Sequence, residues 1–404
     1  MTPSRIFAPT TPRVSKIARS LIGSAIAVAF VLLAHYTVGV AAILSAWTYL
    51  SLNVWIPLLI ALASTYAIRA ERLRAHLSAH SRTQRNLPRA ALYLITLRHN
   101  LLNLALPMRA GEWSLPLMLR EHFKIPFAEG SAGLVWLRLL DLHALLGIVI
   151  LATSALILSL SMTATLPPFG ADPRAIDENL AGAVNGAHSD TAFLFDPTLL
   201  TGPISALLIA GLMILWLIGL ALITRLPRWF AAERHNPISK RNTATPSTPA
   251  RNRVHRRVTT LTQTLRDRLA AGLPAAGDQL AIWRSLAWTS ATWIIKLLAL
   301  GFLASAMLIA SGAPASEPAA LFLIALVAVC AAELTSVLPI HAPFGLGTYA
   351  AGLVAIFTLA GIPFDVALTA ATATHLAFFG FSGLISIVAF LMPLAHPRGP
   401  DQAY

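Results

Sequence analysis

Apolar residues run along this chain in long blocks rather than alternating with polar ones. Residues 21–44, 46–68 and 199–224 contain no charged side chain. Residues 131–162 form an equally long block that carries Arg138 and Asp141. Residues 283–310 hold Lys296 near the middle, 319–340 hold Glu333, and 366–394 hold His375. A helix needs about 20 mostly apolar residues to cross a bilayer, so each block predicts a span. Residues 349–360 are apolar but short, between Gly347 and Gly361. The predicted fold class is all-α: a polytopic transmembrane helical bundle of about eight spans with one or two re-entrant or broken helical segments.

Residues 87–124 break the pattern. Residues 90–106 are apolar but interrupted by Arg98, His99 and Asn100, and Pro107, Gly111 and Pro116 follow. The next apolar piece, 113–123, is too short to cross. Two short arms around a Pro/Gly break predict a re-entrant helical pair, tolerated at membrane depth only where protein or water covers the backbone. An ordinary span followed by an interfacial helix is the competing reading. Residues 338–361 predict a second broken segment.

Composition agrees with a bilayer as the solvent. Of the 404 residues, 56% are apolar and 12% charged, against about 25% charged in soluble domains. Mean hydropathy is +0.69. The net charge of +13 would point to nucleic acid if it were spread over a soluble surface. Here it is concentrated between the apolar blocks, so no nucleic-acid partner is expected. Residues 69–89 contain six arginines and one acid, and 225–280 contain eleven Lys/Arg and three acids. Residues 163–197 contain five acids and one arginine. The positive-inside rule then places the basic stretches and the N-terminus in the cytoplasm and 163–197 outside. The resulting organisation is a basic N-terminus (1–20), a first membrane half (21–224) and a cytoplasmic basic linker (225–282). A second membrane half (283–395) follows. Within the linker, 253–270 reads as a basic amphipathic helix suited to an anionic leaflet. The expected location is a bacterial cytoplasmic (inner) membrane, crossed several times. Block 21–44 is too long for a cleavable signal and reads as a retained span. Cys330 is the sole cysteine, so no intramolecular disulfide forms.

An ionisable group inside a bilayer costs about 2.5–3.5 kcal/mol on insertion scales and therefore needs a partner or a purpose. Arg138 and Asp141 stand three apart and share a helix face. They neutralise each other or hold a charged ligand. Arg109 and Glu112 repeat that spacing within the first break. There, free backbone amides and a forked guanidinium suit an anion such as a lipid phosphate. Lys296 and Glu333 are candidates to pair. His35, His143 and His375 read as packed rather than ligating. No metal-ligand spacing, nucleotide-binding glycine loop or nucleophile elbow occurs, so no cofactor and no catalytic residues are expected.

Three motifs carry a resemblance. The first is Asn103 followed by Pro107-Met108-Arg109-Ala110-Gly111-Glu112. The second is Arg138-Leu139-Leu140-Asp141. The third is Pro343-Phe344-Gly345-Leu346-Gly347, preceded by Leu338-Pro339. Together they resemble the flippase-like transmembrane domain of lysylphosphatidylglycerol synthases, which also occurs as stand-alone membrane proteins, over roughly residues 90–394. Two positions depart from the family pattern. Met108 replaces a glycine, and Ala350 stands where a glutamate is expected, a role Glu333 could take over. The resemblance implies handling or translocation of a lipid with a large polar headgroup. It also implies headgroup contacts from Asn103, Pro107, Arg109, Gly111, Glu112, Arg138, Asp141, Glu333, Pro343, Gly345 and Gly347. No soluble aminoacyl-transfer domain is expected alongside it, so the chain is not expected to make lysylphosphatidylglycerol by itself.

The sequence thus reads as a translocator of a phospholipid or lipid-linked glycan, and not as an enzyme. Its expected partners are membrane lipids, including anionic phospholipid or lipid-linked sugar. Envelope-biosynthesis proteins and a second copy of the chain stay open as partners. Two other readings stand beside it: a membrane-embedded transferase or hydrolase on lipid-linked substrates, and an accessory subunit of an envelope-synthesis complex.

Overall fold

A computed structural model describes residues 39–80, 87–165, 203–232, 267, 269–275, 278–313, 318–336, 345 and 347–394, with positions 28, 32, 35 and 36. Lipid offers no hydrogen bonds to the backbone, so a spanning segment must satisfy its own. The described residues accordingly form helices and no strand. They are α1 (Val40–Tyr49), α2 (Leu52–His80), α3 (Arg89–Ala105), a 3-10 turn (Pro107–Trp113), α4 (Ser114–Phe123) and α5 (Phe127–Thr165). Then come α6 (Pro203–Ala232), α7 (Gln279–Ala310), α8 (Pro318–Thr335), α9 (Thr348–Leu359) and α10 (Phe364–Leu391). Six of them, α2, α5, α6, α7, α8 and α10, are long and apolar enough to cross a membrane, and α1 and α9 are shorter apolar helices.

Three boundaries differ from the sequence expectation. The predicted break near residue 45 lies inside α1. Ser45 satisfies its hydroxyl on the Ala42 carbonyl at 2.8 Å and does not interrupt the helix. The turn falls at Leu50–Ser51, where the Ser51 carbonyl takes the first amides of α2, Val54 at 3.0 Å and Trp55 at 3.1 Å. Secondly, α2 does not stop at Ile68. It continues as helix to His80, so the arginine-rich stretch 69–80 is part of the bundle rather than a loop. Arginine is a good helix former, and here its charges find partners. Thirdly, α5 is 39 residues long, about 58 Å at 1.5 Å per residue. It therefore extends well past a hydrocarbon core of about 30 Å.

The awkward segment 87–124 is a helical hairpin. The 3-10 turn folds back onto the last turn of α3. A side chain at Gly111 would stand 2.3 Å from the Leu102 carbonyl oxygen, so only glycine permits this approach. His99 Nδ1 and Ser114 Oγ lie 2.9 Å apart across the hairpin. One apolar cluster joins Leu92 and Ile95 of α3, Leu115 and Leu119 of α4, and Trp136 and Leu140 of α5.

A larger core holds α1, α2, α5, α7, α8, α9 and α10 together through Ala46, Leu62, Leu145, Leu300, Val329, Phe357 and Ala371. Its tightest seam is between α8 and α9. There a side chain at Gly352 would meet the Ala332 backbone at 2.8 Å. Small residues at such seams let helix backbones approach where lipid supplies no hydrophobic drive to association.

Of the linker, the described residues 269–275 dock on the start of α5. Gly272 offers its carbonyl to His76 Nε2 at 3.1 Å. The N-terminus 1–20, more than half of the predicted first span and residues 166–202 lie outside the described residues. So do 233–266, which hold most of the predicted amphipathic helix.

Candidate functional site

A cavity of 640 Å³ lies where α2, α3, α5, α7, α8 and α10 converge. That is within the range of about 300–1,000 Å³ typical of ligand sites. Its walls carry every mid-block charge noted in the sequence, Arg138, Asp141, Lys296 and Glu333, together with Asn103 and Glu112 of the first break.

Asp141 anchors one cluster. Arg72 Nη1 donates to its Oδ1 at 2.6 Å and Nη2 to Oδ2 at 3.4 Å. Arg72 also donates to Thr289 Oγ1 at 2.8 Å. The Trp293 indole N–H donates to Asp141 Oδ1 at 3.2 Å, and Arg138 Nη1 stands 3.6 Å from Oδ2. The predicted Arg138–Asp141 pair exists, but Arg72 is the closer partner. Arg138 bridges outward to Glu112 Oε1 at 3.2 Å. It thereby links α5 to the turn of the hairpin. Arg72 is only 6% exposed, a burial that only an anionic partner makes tolerable.

A second cluster joins α7, α8 and α9. Lys296 Nζ lies 2.7 Å from Glu333 Oε1, the pairing anticipated from the sequence. Tyr349 donates its hydroxyl to the same oxygen at 3.3 Å. The ammonium also sits 4.9 Å above the Trp293 ring and 5.1 Å above Phe378, cation–π distances. Glu333 lines the cavity. Ala350 does not: it is fully buried and packed against Leu368 and Val354. A glutamate there would face apolar side chains, which fits its replacement by alanine.

The remaining predicted positions behave differently. Gly111 is where the turn approaches α3. Gly345 and Gly347 have positive φ, 66° and 88°, and Gly347 immediately precedes α9. These glycines shape the second break but do not line the cavity. The side chains of Pro107 and Arg109 and the whole of Pro343 lie outside the described residues.

The sequence reading missed Arg72 and Arg69, because both sat in the stretch assigned to a basic loop. It also missed Trp293, Tyr66 and Ser382. Their signal would have been the i, i+3 spacing of Tyr66, Arg69 and Arg72, which share one face of α2. Tyr66 and Ser382 hydrogen-bond through their hydroxyls, and Asn100 Nδ2 donates to Ser386 Oγ at 3.0 Å. Both bonds tie the cavity wall to α10.

The rim is apolar. Val135, Leu139 and Leu142, on one face of α5, line the cavity together with Trp113. They are also exposed at the outer surface, Val135 by 58% and Trp113 by 60%. A charged interior is therefore bordered by apolar side chains that are also exposed at the surface.

A model of the lysylphosphatidylglycerol synthase TM region family matches residues 20–171 and 189–386. The chain belongs to this family. Neither a curated protein nor a solved structure matches it. It is thus a multi-pass membrane protein of a family associated with lipid handling. The matched stretches include every charged residue of the cavity.

Proposed function

We propose that the protein is an inner-membrane, flippase-like translocator or handler of a phospholipid or lipid-linked glycan with a polar headgroup, its N-terminus in the cytoplasm. The observation that carries this reading is a charged cavity bordered by exposed apolar side chains. Arg138, Glu112 and Asp141 lie inside, and Val135, Leu139 and Leu142 form an exposed apolar lip. Moving a charged headgroup through hydrocarbon unaided requires stripping its water, which is prohibitive. Here Arg138, Glu112 and Asn103 replace that water one partner at a time. The hairpin turn carrying Glu112 supplies one wall, and it forms a re-entrant element in the bilayer. Membrane lipids are the partners this reading requires, and it requires no catalytic step.

The test is transfer of a headgroup-labelled phospholipid between leaflets of proteoliposomes. Wild type should accelerate transfer over protein-free vesicles. Arg138→Ala should reduce it to near the protein-free rate. Transfer at the wild-type rate by a folded Arg138→Ala protein would remove Arg138 from the pathway.

A further inference from the structure

Among the described residues the cavity has unequal numbers of opposite charges: four cations face it, Arg69, Arg72, Arg138 and Lys296, against three carboxylates, Glu112, Asp141 and Glu333. All three carboxylates are already in ion pairs: Asp141 with Arg72 and Arg138, Glu112 with Arg138, and Glu333 with Lys296. Arg69 has no carboxylate within ion-pair distance among the described residues. Its guanidinium instead lies over two rings, 5.8 Å from the centre of Tyr66 and 6.0 Å from that of Trp293.

Several hydrogen-bonding atoms in the same wall are also unspent. The Nε–H donors of Arg138 and Arg72 are buried without a partner, and Asn103 brings a side-chain amide to the same wall. A planar guanidinium held against aromatic faces keeps its edge available for two parallel bonds to oxygen.

The places that would receive a headgroup cation are taken. Each carboxylate has its cation, and the Trp293 ring, the best aromatic seat for an ammonium, already has Lys296 and Arg69 beside it.

From this charge balance we infer that Arg69, with Asn103 and Arg138, forms a subsite for a phosphodiester monoanion, and that the chain selects net-anionic lipids over aminoacylated, net-cationic ones. This rests on the lipid-handling reading above and adds the charge class of the substrate. One phosphodiester with an uncharged head, as in phosphatidylglycerol, cancels the surplus. A zwitterionic headgroup leaves it in place. A lysyl ester of the same lipid, with one phosphate and two ammonium groups, would double it. Like charges in a site of reduced dielectric repel strongly.

The experiment offers the purified, delipidated full chain an equimolar mixture of phosphatidylglycerol, phosphatidylcholine and lysylphosphatidylglycerol, and counts retained lipids by native mass spectrometry. The wild type should retain phosphatidylglycerol about tenfold over either competitor, equivalent to about 1.4 kcal/mol. Arg69→Gln should erase that preference, and Arg69→Lys should keep part of it. Asn103→Asp, which adds a fourth carboxylate, should erase it with Arg69 intact. That variant decides the matter if Arg69→Gln does not fold. Equal retention of the three lipids by wild type overturns the inference, as does full preference in Arg69→Gln. A parallel arm adds inorganic phosphate alone; displacement of phosphatidylglycerol at comparable concentration would show a free-anion site and overturn the lipid source. Retention of no lipid at all would instead overturn the lipid-handling reading itself.

Discussion

On one part of the cavity wall Lys296 meets a single carboxylate at 2.7 Å, and a tyrosine and two rings close around the pair. On another, Asp141 is shared by Arg72 and Arg138, and Arg138 reaches on to Glu112. The Lys296–Glu333 pair is balanced and sealed, with side chains 10% and 5% exposed. The Asp141 cluster is extended and open, its outer pair, Arg138 and Glu112, 33% and 20% exposed. A sealed pair satisfies itself and fixes how α7, α8 and α9 pack. An open cluster with unspent donors has capacity left for a ligand. Burial and partner count, rather than charge in the membrane as such, separate a structural ion pair from a binding one.

The comparison breaks most severely where a buried cation loses its carboxylate. Asp141→Ala strands Arg72, and Glu333→Ala strands Lys296. Each should cost about 3–5 kcal/mol, the range for breaking a buried pair from one side. Thermal melting of the purified proteins reads this. Replacing both members at once sharpens the contrast. Lys296→Met with Glu333→Leu should recover most of the stability that Glu333→Ala loses, because no charge is left unpaired.

Smaller effects follow from the seams that position each cluster. Gly352→Ala pushes a methyl against the Ala332 backbone, and Gly111→Ala does the same at the Leu102 carbonyl. Overpacking of this kind costs about 1–3 kcal/mol. Gly352→Ala should lower the melting temperature through the Lys296 cluster, while Gly111→Ala should also slow lipid transfer, since it displaces the turn that carries Glu112. The smallest effect belongs to Glu71, which pairs with Arg74 at 2.5 Å and Arg89 at 3.4 Å near the solvent end of α2. Glu71→Ala should change stability by about 0–1 kcal/mol and leave transfer intact.

Much of this was legible in the sequence because an ionisable residue in an apolar block has few structural excuses. Arg138, Asp141, Lys296 and Glu333 stood out for that reason, and all four line one cavity. Asn103 and Glu112 were found through a motif beside a Pro/Gly break, and the break is a real turn. Arg72 was harder to read: it stands among six arginines in 21 residues, and the i, i+3 spacing of Tyr66, Arg69 and Arg72 marks a shared helix face without naming a partner. Its distinction is made by Asp141, 69 positions away. Gly345 and Gly347 were expected as headgroup contacts on the family resemblance; the structure gives them positive φ angles at the entry to α9. The α1–α2 turn was misplaced because Ser45 can bond within its own helix.

The central claim is that the open cluster serves a headgroup rather than the fold. The most direct measurement is leaflet-to-leaflet transfer of labelled phosphatidylglycerol by the Glu112→Leu, Arg138→Leu double variant, reconstituted after its melting temperature is confirmed. Both charges of the exposed pair are gone, and Asp141 keeps Arg72. A folded protein whose transfer falls to the protein-free rate is the predicted result. A folded protein that still transfers lipid at the wild-type rate would contradict the account.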